Sequence, residues 1–295
     1  GLDRFAYTYL SETYPNNINW DSDKILTVTI DIETRADNGF PEPELANEEM
    51  LAITIKNQST KKIIVWGLGD FKNDREDVTY INCSDEVELL EEFMTFWTKK
   101  YPDVVTGWNT EFFDIPYLVN RTLKILGDDV VKKLSPWGLV DRYDVKVMNR
   151  SQATYDLKGI STIDYLELFQ KFGYSYGNQE SYRLDNIANV VLGEKKLSYE
   201  EHGSLHTLYK FDHQKFIDYN IKDVELVDRL EDKMGLITLC LTMAYQGGVN
   251  YGDTFGVTAI WESIIYRHLL SQKIAIPFFD QKTKSNYPGG YVKDP

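Results

Sequence analysis

Residues 25–34, ILTVTIDIET, set Ile25, Leu26, Val28, Ile30 and Ile32 around β-branched Thr27 and Thr29. That length and composition predict a buried strand. Residues 50–55 and 62–66 run apolar or alternate and predict two more strands, with Asn57-Gln58-Ser59-Thr60 as the hairpin connection. Residues 85–101 carry Val87, Leu89, Leu90, Phe93, Met94 and Trp97 at the 3.6-residue period, which predicts a helix capped by Ser84. Residues 103–108 read as a short strand and 115–126 as a helix ending at Gly127. Further on, 143–148 and 154–157 read as a hairpin turning around Asn149-Arg150-Ser151-Gln152. Helices follow at 162–172, 184–192, 212–230 and 258–270. Strands first, then helices interleaved with strands, predict an α/β layer fold with a mixed sheet.

Composition narrows the class. Apolar residues make up 42% of the 295, enough for a full core, and 20 Tyr with 14 Phe argue against disorder. No apolar run reaches the length of a bilayer span, and no secretory leader pattern is visible. Cys83 and Cys240 form neither a disulfide framework nor a zinc set, which fits a reducing cytosol. His202, His206 and His213 lie close in sequence, but no cysteine or clean partner set completes a zinc site with them. The formal net charge of −14 argues against holding nucleic acid by bulk electrostatics. A nucleic-acid role must then rest on a local site with bound metal, or on parts of a larger protein absent here.

Candidate chemistry sits at three places. Asp31 and Glu33 end the first strand two residues apart, so both point to one face. Alone, such a pair is more often two solvated or salt-bridged charges; hard divalent cations would hold both ionised. Asp114 falls in the first turn of the helix after Gly107-Trp108-Asn109-Thr110, where an acid also serves as a cap. Tyr219 and Asp223 are i and i+4 in the long helix, and apolar Val224, Leu226 and Val227 follow Asp223. Tyr251-Gly252-Asp253-Thr254 reads as a turn before a helix.

Together, DIE at Asp31 and Glu33, NTEFFD at Asp114 and YNIKD at Tyr219 and Asp223 resemble the three motifs of the DEDD 3′–5′ exonucleases. Tyrosine four before Asp223, with Asp218 instead of histidine five before it, resembles the tyrosine subclass. The stretches TYLSETY, DIETRADNGFPEP, GWNTEFFDIPYLVNR, KLSPWG, GISTIDYLELFQKF, SYRLDNIA, GEKKLSY and YPGGYVKDP further resemble the family B replicative DNA polymerases of T-even-like bacteriophages. The resemblance implies a ribonuclease-H-like α/β fold with a mixed five-stranded sheet flanked by helices. It assigns 26–235 to a proofreading exonuclease domain, and 1–25 with 236–278 to a neighbouring amino-terminal domain. Residues 279–295 would enter the palm, and no polymerase site is expected in this fragment.

The implied reaction is hydrolysis of the 3′-terminal phosphodiester of DNA with two divalent cations, Mg2+ or Mn2+. Asp31, Glu33 and Asp223 would hold one; Asp31 would bridge to a second that Asp114 helps place. Tyr219 would orient the attacking water, since a phenol is a poor base near neutrality. Lys196, chosen over neighbouring Lys195 by resemblance, would offset charge at the scissile phosphate. Asn109 and Phe113 would touch the terminal nucleotides, although Phe113 serves equally well as a core aromatic. The family's projecting hairpin falls at 148–155. Implied partners are single-stranded or frayed DNA ends, the remaining polymerase domains and a sliding clamp reached through parts absent here. Any membrane role is excluded, and the expected location is the cytoplasm of the host cell. A non-catalytic DNA-end-binding module and an RNA-trimming nuclease are the rival readings.

Overall fold

The computed structural model describes residues 5–15, 18–37, 39–147, 150–196 and 205–275. The chain begins with α1 (Phe5–Thr13), then β1 (Thr27–Thr34), β2 (Met50–Asn57), β3 (Ile63–Leu68) and β4 (Val78–Cys83). After these come α2 (Glu86–Lys99), β5 (Val104–Thr106), α3 (Asp114–Leu126), the single turn α4 (Asp128–Val131) and the pair β6 (Val140–Val147) and β7 (Arg150–Leu157). The remainder is β8 (Ser161–Thr162), α5 (Tyr165–Phe172), α6 (Leu184–Leu192), α7 (Leu205–Phe211), α8 (His213–Met234), α9 (Leu236–Gly247) and α10 (Val257–Ser271).

The main sheet runs β4-β3-β2-β1-β5-β8. β1 is paired on both sides, antiparallel to β2 and parallel to β5. The sheet is mixed, as expected, but has six strands where five were expected. The two of its strands that were not located in the sequence, β4 and β8, lie at the edges. β4 buries only its end residues, Val78 and Cys83, so it lacks the alternation that marks a half-buried strand. β8, Ser161–Thr162, is two residues long and takes Thr162 out of the helix expected to begin there; that helix starts at Tyr165, capped by Asp164.

Pleating divides the sheet into two faces. Ile32, Ile53 and Trp66 are register partners on one face, and Trp66 meets Phe93 of α2 edge-on with ring centres 5.4 Å apart. Asp31, Thr54 and Val65 are partners on the other face. α8 covers that second face, burying Phe216, Ile217, Ile221 and Val224. A second cluster joins Val104, Tyr165, Leu168, Ile187, Leu226 and Leu230 with Leu236, Ile237 and Cys240 of α9.

Several local expectations shift. The α2 cap is Asp85, which accepts the Glu88 N–H at 3.0 Å; Ser84 instead donates N–H and hydroxyl to the Glu88 carboxylate. The hairpin closes between Val147 and Arg150, so Arg150, Ser151 and Gln152 are strand residues, not turn residues. α1, α7 and α9 were not anticipated. The expected palm entry at 279–295, His202, the hairpin residues 148–149 and most of the stretch GEKKLSY beyond Lys196 lie outside the described residues. His206 falls in α7, and among the described helices none is long and apolar enough to cross a membrane. Asp253 of the expected turn lies in a 3₁₀ turn, Tyr251–Phe255, where it accepts the Asn250 N–H and the Tyr7 hydroxyl.

Gly107, at the exit of β5, is required by close approach. A Cβ there would lie 1.9 Å from Thr110 Oγ1 and 2.6 Å from the Ile30 carbonyl oxygen. Gly107→Ala is expected to cost about 1–3 kcal/mol by overpacking, measured by urea unfolding. An unchanged midpoint would contradict this packing.

Candidate active site

β1 delivers Asp31 and Glu33 to the face covered by α8. α8 delivers Asp223 from one turn beyond Tyr219. One carboxylate oxygen from each of Asp31, Glu33 and Asp223 lies within 4.8 Å of the other two. Asp223 Oδ1 is buried and has no hydrogen-bond partner among the described residues. A buried carboxylate oxygen without a donor is costly unless a cation reaches it. Three hard oxygen donors with one unpartnered atom suit a hard divalent cation, and the residues fit such an ion.

Asp114 stands beside this trio. Its side chain is buried at the start of α3, and Oδ1 accepts the Ile32 N–H at 3.0 Å. That bond hooks α3 onto β1 between the two strand acids. The connection before it is shaped by Asn109, whose φ of 67° is left-handed, a conformation asparagine tolerates. Asp164 pins the same connection by accepting the N–H groups of Asn109 (3.1 Å) and Glu111 (3.0 Å). Phe113 is half-buried, with its ring centre 5.5 Å from that of the exposed Phe40 and 5.9 Å from that of Tyr117.

Lys196 reaches in from the segment after α6. Its ammonium bonds the Asp223 carboxylate and lies 3.2 Å from the Tyr219 hydroxyl. Lys195 is exposed. Two anchors fix the segment. The Lys196 N–H donates to Asp185 at 2.8 Å, and Glu194 accepts from Lys222 and Arg229 of α8.

Packing four acids together perturbs them in one direction. Burial, then the charges of Asp223, Asp114 and Glu33, push the Asp31 carboxyl well above the ordinary carboxylate range. Burial and the Asp223 charge push Glu33 up to about 8. Burial raises Asp114 to about 7 against the opposing Ile32 N–H. Burial also raises Asp223, with Lys196 opposing. Burial and the Asp223 charge raise the Tyr219 phenol, so it stays protonated near neutrality.

Three further contributors escaped the sequence reading: Asn220, Thr54 and Asp164. Asn220 is fully buried in α8, and its Nδ2 donates to Asp31 Oδ2 at 2.5 Å while its Oδ1 accepts from Thr54 Oγ1. An amide among Phe216, Ile217, Ile221 and Val224 on one helix face is the signal that could have exposed it.

Comparison with known proteins bears on this geometry. The family model for the DNA polymerase family B exonuclease domain matches residues 7–187. A DNA-directed DNA polymerase of Escherichia phage RB69 is 34% identical, and that of Enterobacteria phage T4 31%, each covering the whole chain and 35% of the relative. The DNA polymerase delta catalytic subunit of Dictyostelium discoideum is 25% identical over 91% of the chain and 25% of its own length. The chain thus spans about a third of the phage relatives' length. With the family model matching more than half of the chain and the phage polymerases aligned over all of it, the chain belongs to the family B DNA polymerases and carries their exonuclease domain.

Proposed function

We propose that this chain removes nucleotides from the 3′ end of DNA by hydrolysis at the Asp31–Glu33–Asp223 site. The observation that carries the reading is the convergence of the three carboxylates within 4.8 Å, together with a buried Asp223 Oδ1 that has no hydrogen-bond partner among the described residues. Asp31, Glu33 and Asp223 bind divalent metal, and Asp114 helps place a second ion beside Asp31. When bound, such ions activate water and stabilise the attacking and leaving oxygens. Tyr219 orients the attacking water by donating its hydroxyl proton, a role supported by its raised pKa. Lys196 neutralises the Asp223 side of the site and is placed to meet a phosphate there. Phe113, with Phe40 beside it, offers a stacking surface worth about 1–3 kcal/mol per base, and Asn109 lies in the same connection.

The exonuclease unit is 26–235, and left-handed Gly235, which separates α8 from α9, supports its end. Residues 1–25 and 236–278 belong to an amino-terminal domain, and 279–295 begin a palm. The partners are single-stranded or frayed DNA ends, the other polymerase domains and a sliding clamp, and the site of action is the host cytoplasm. With a net charge of −14, binding to duplex DNA in EDTA is weak and salt-sensitive.

The test is shortening of a 5′-labelled oligonucleotide in Mg2+. The wild type is expected to produce a ladder, and the Asp31→Ala, Glu33→Ala double variant none. Equal behaviour of the two proteins would remove the enzymatic reading. Shortening of RNA but not DNA would move the substrate class.

A further inference from the structure

We infer that Asn220 is a positioning residue that fixes Asp31 for cation binding, and that Thr54 fixes Asn220; this rests on the hydrolytic reading above. The β1–β2 register sets Thr54 directly opposite Asp31 on the face that α8 covers. Asn220 closes the triangle from α8. Both Asn220 and Thr54 are completely buried, whereas Asp31 is partly open.

Packing alone gives no reason for an amide here. Phe216, Ile217, Ile221 and Val224 flank it on the helix, asparagine is a mediocre helix former, and burying it without partners costs free energy. Its two ends are committed in a defined sense. Thr54 Oγ1 donates to Oδ1, so the nitrogen must face the other way, and it meets Asp31 Oδ2 at 2.5 Å. A carboxylate can accept about four hydrogen bonds over its two oxygens. Asn220 takes one position on Oδ2 and leaves the remaining acceptor positions of Asp31 for a cation shared with Glu33 and Asp223. Asp31 is otherwise able to rotate, because its strand pairing constrains only the backbone. Partners that orient metal-binding carboxylates in this way change affinity by about 10–100-fold when removed.

The experiment measures Mn2+ binding directly, by electron paramagnetic resonance of free Mn2+, without DNA. Wild type, Asn220→Ala, Thr54→Val and Thr54→Ser are compared, with melting temperatures taken in EDTA. Asn220→Ala is expected to weaken Mn2+ binding by about tenfold or more. Thr54→Val, which keeps the shape and removes the hydroxyl, weakens it in the same direction, and Thr54→Ser restores wild-type binding. Affinities of Asn220→Ala and Thr54→Val within about twofold of wild type, or losses that only follow unfolding in EDTA, overturn the inference. Because Thr54→Val preserves core volume, a folding failure of Asn220→Ala leaves a decisive variant. If wild type binds Mn2+ with this pattern but leaves DNA intact, the positioning role stands and the exonuclease reading falls. If wild type fails to bind Mn2+, both fall.

Discussion

Asp31→Asn is expected to move activity and stability in opposite directions. Trimming of a 3′ end should fall by roughly 10³-fold or more, because metal stabilisation of the reacting oxygens is worth several kcal/mol and each factor of ten is about 1.4 kcal/mol. In EDTA at pH 8 the same variant should melt several degrees higher than wild type. Asp31 is held among Asp223, Asp114 and Glu33, and burial penalises every charge in the group. Replacing one acid by its neutral isostere relieves that crowding, which is the usual trade of stability against function at a strained site. Single-turnover trimming assays and calorimetry on the same preparations check both halves. A variant that loses activity and also melts lower would mean that Asp31 supports the core and not an ion site.

Metal removal should make stability depend on pH with a defined sign. Glu33 carries a folded pKa of about 8 against an ordinary 4.5, and Asp31, Asp114 and Asp223 shift the same way. Between those limits the folded protein keeps protons that the unfolded chain has released. Stability in EDTA is therefore highest near pH 5 and declines as pH rises toward 8 or 9. The decline should reach a few kcal/mol, or about 5 °C or more in melting temperature. Saturating Mg2+ or Mn2+ should flatten the curve, because the ion takes over the role of the protons and binds only the folded state. Calorimetric scans from pH 5 to 9, with EDTA and with Mg2+, provide the measurement. Rising stability with pH in EDTA would contradict the crowding of acids.

What could be read from the chain was whatever repeats at a short period. Asp31 and Glu33 share a face because a strand has period two, and Tyr219 and Asp223 because a helix has period near four; both pairs are where that logic puts them. Lys196 rather than Lys195 points inward, but periodicity could not decide it, because the segment after α6 has no regular element. Asn220 was missed for a different reason. Its meaning lies in Thr54, far away in sequence, and only the β1–β2 register puts the two together. Asp85 outcompeted Ser84 as a cap because Ser84 was drawn to Glu88. β4 went unseen because an edge strand facing solvent needs no hydrophobic alternation.

One face of α8 supplies both the apolar wall against the sheet, through Phe216, Ile217 and Ile221, and the polar cluster of Tyr219, Asn220 and Asp223. Chemistry and cohesion are thus interleaved residue by residue along a single cylinder. Warming cannot loosen this helix without scattering the carboxylates, so no half-melted population should keep working. Whatever nuclease signal survives a heat step counts intact molecules.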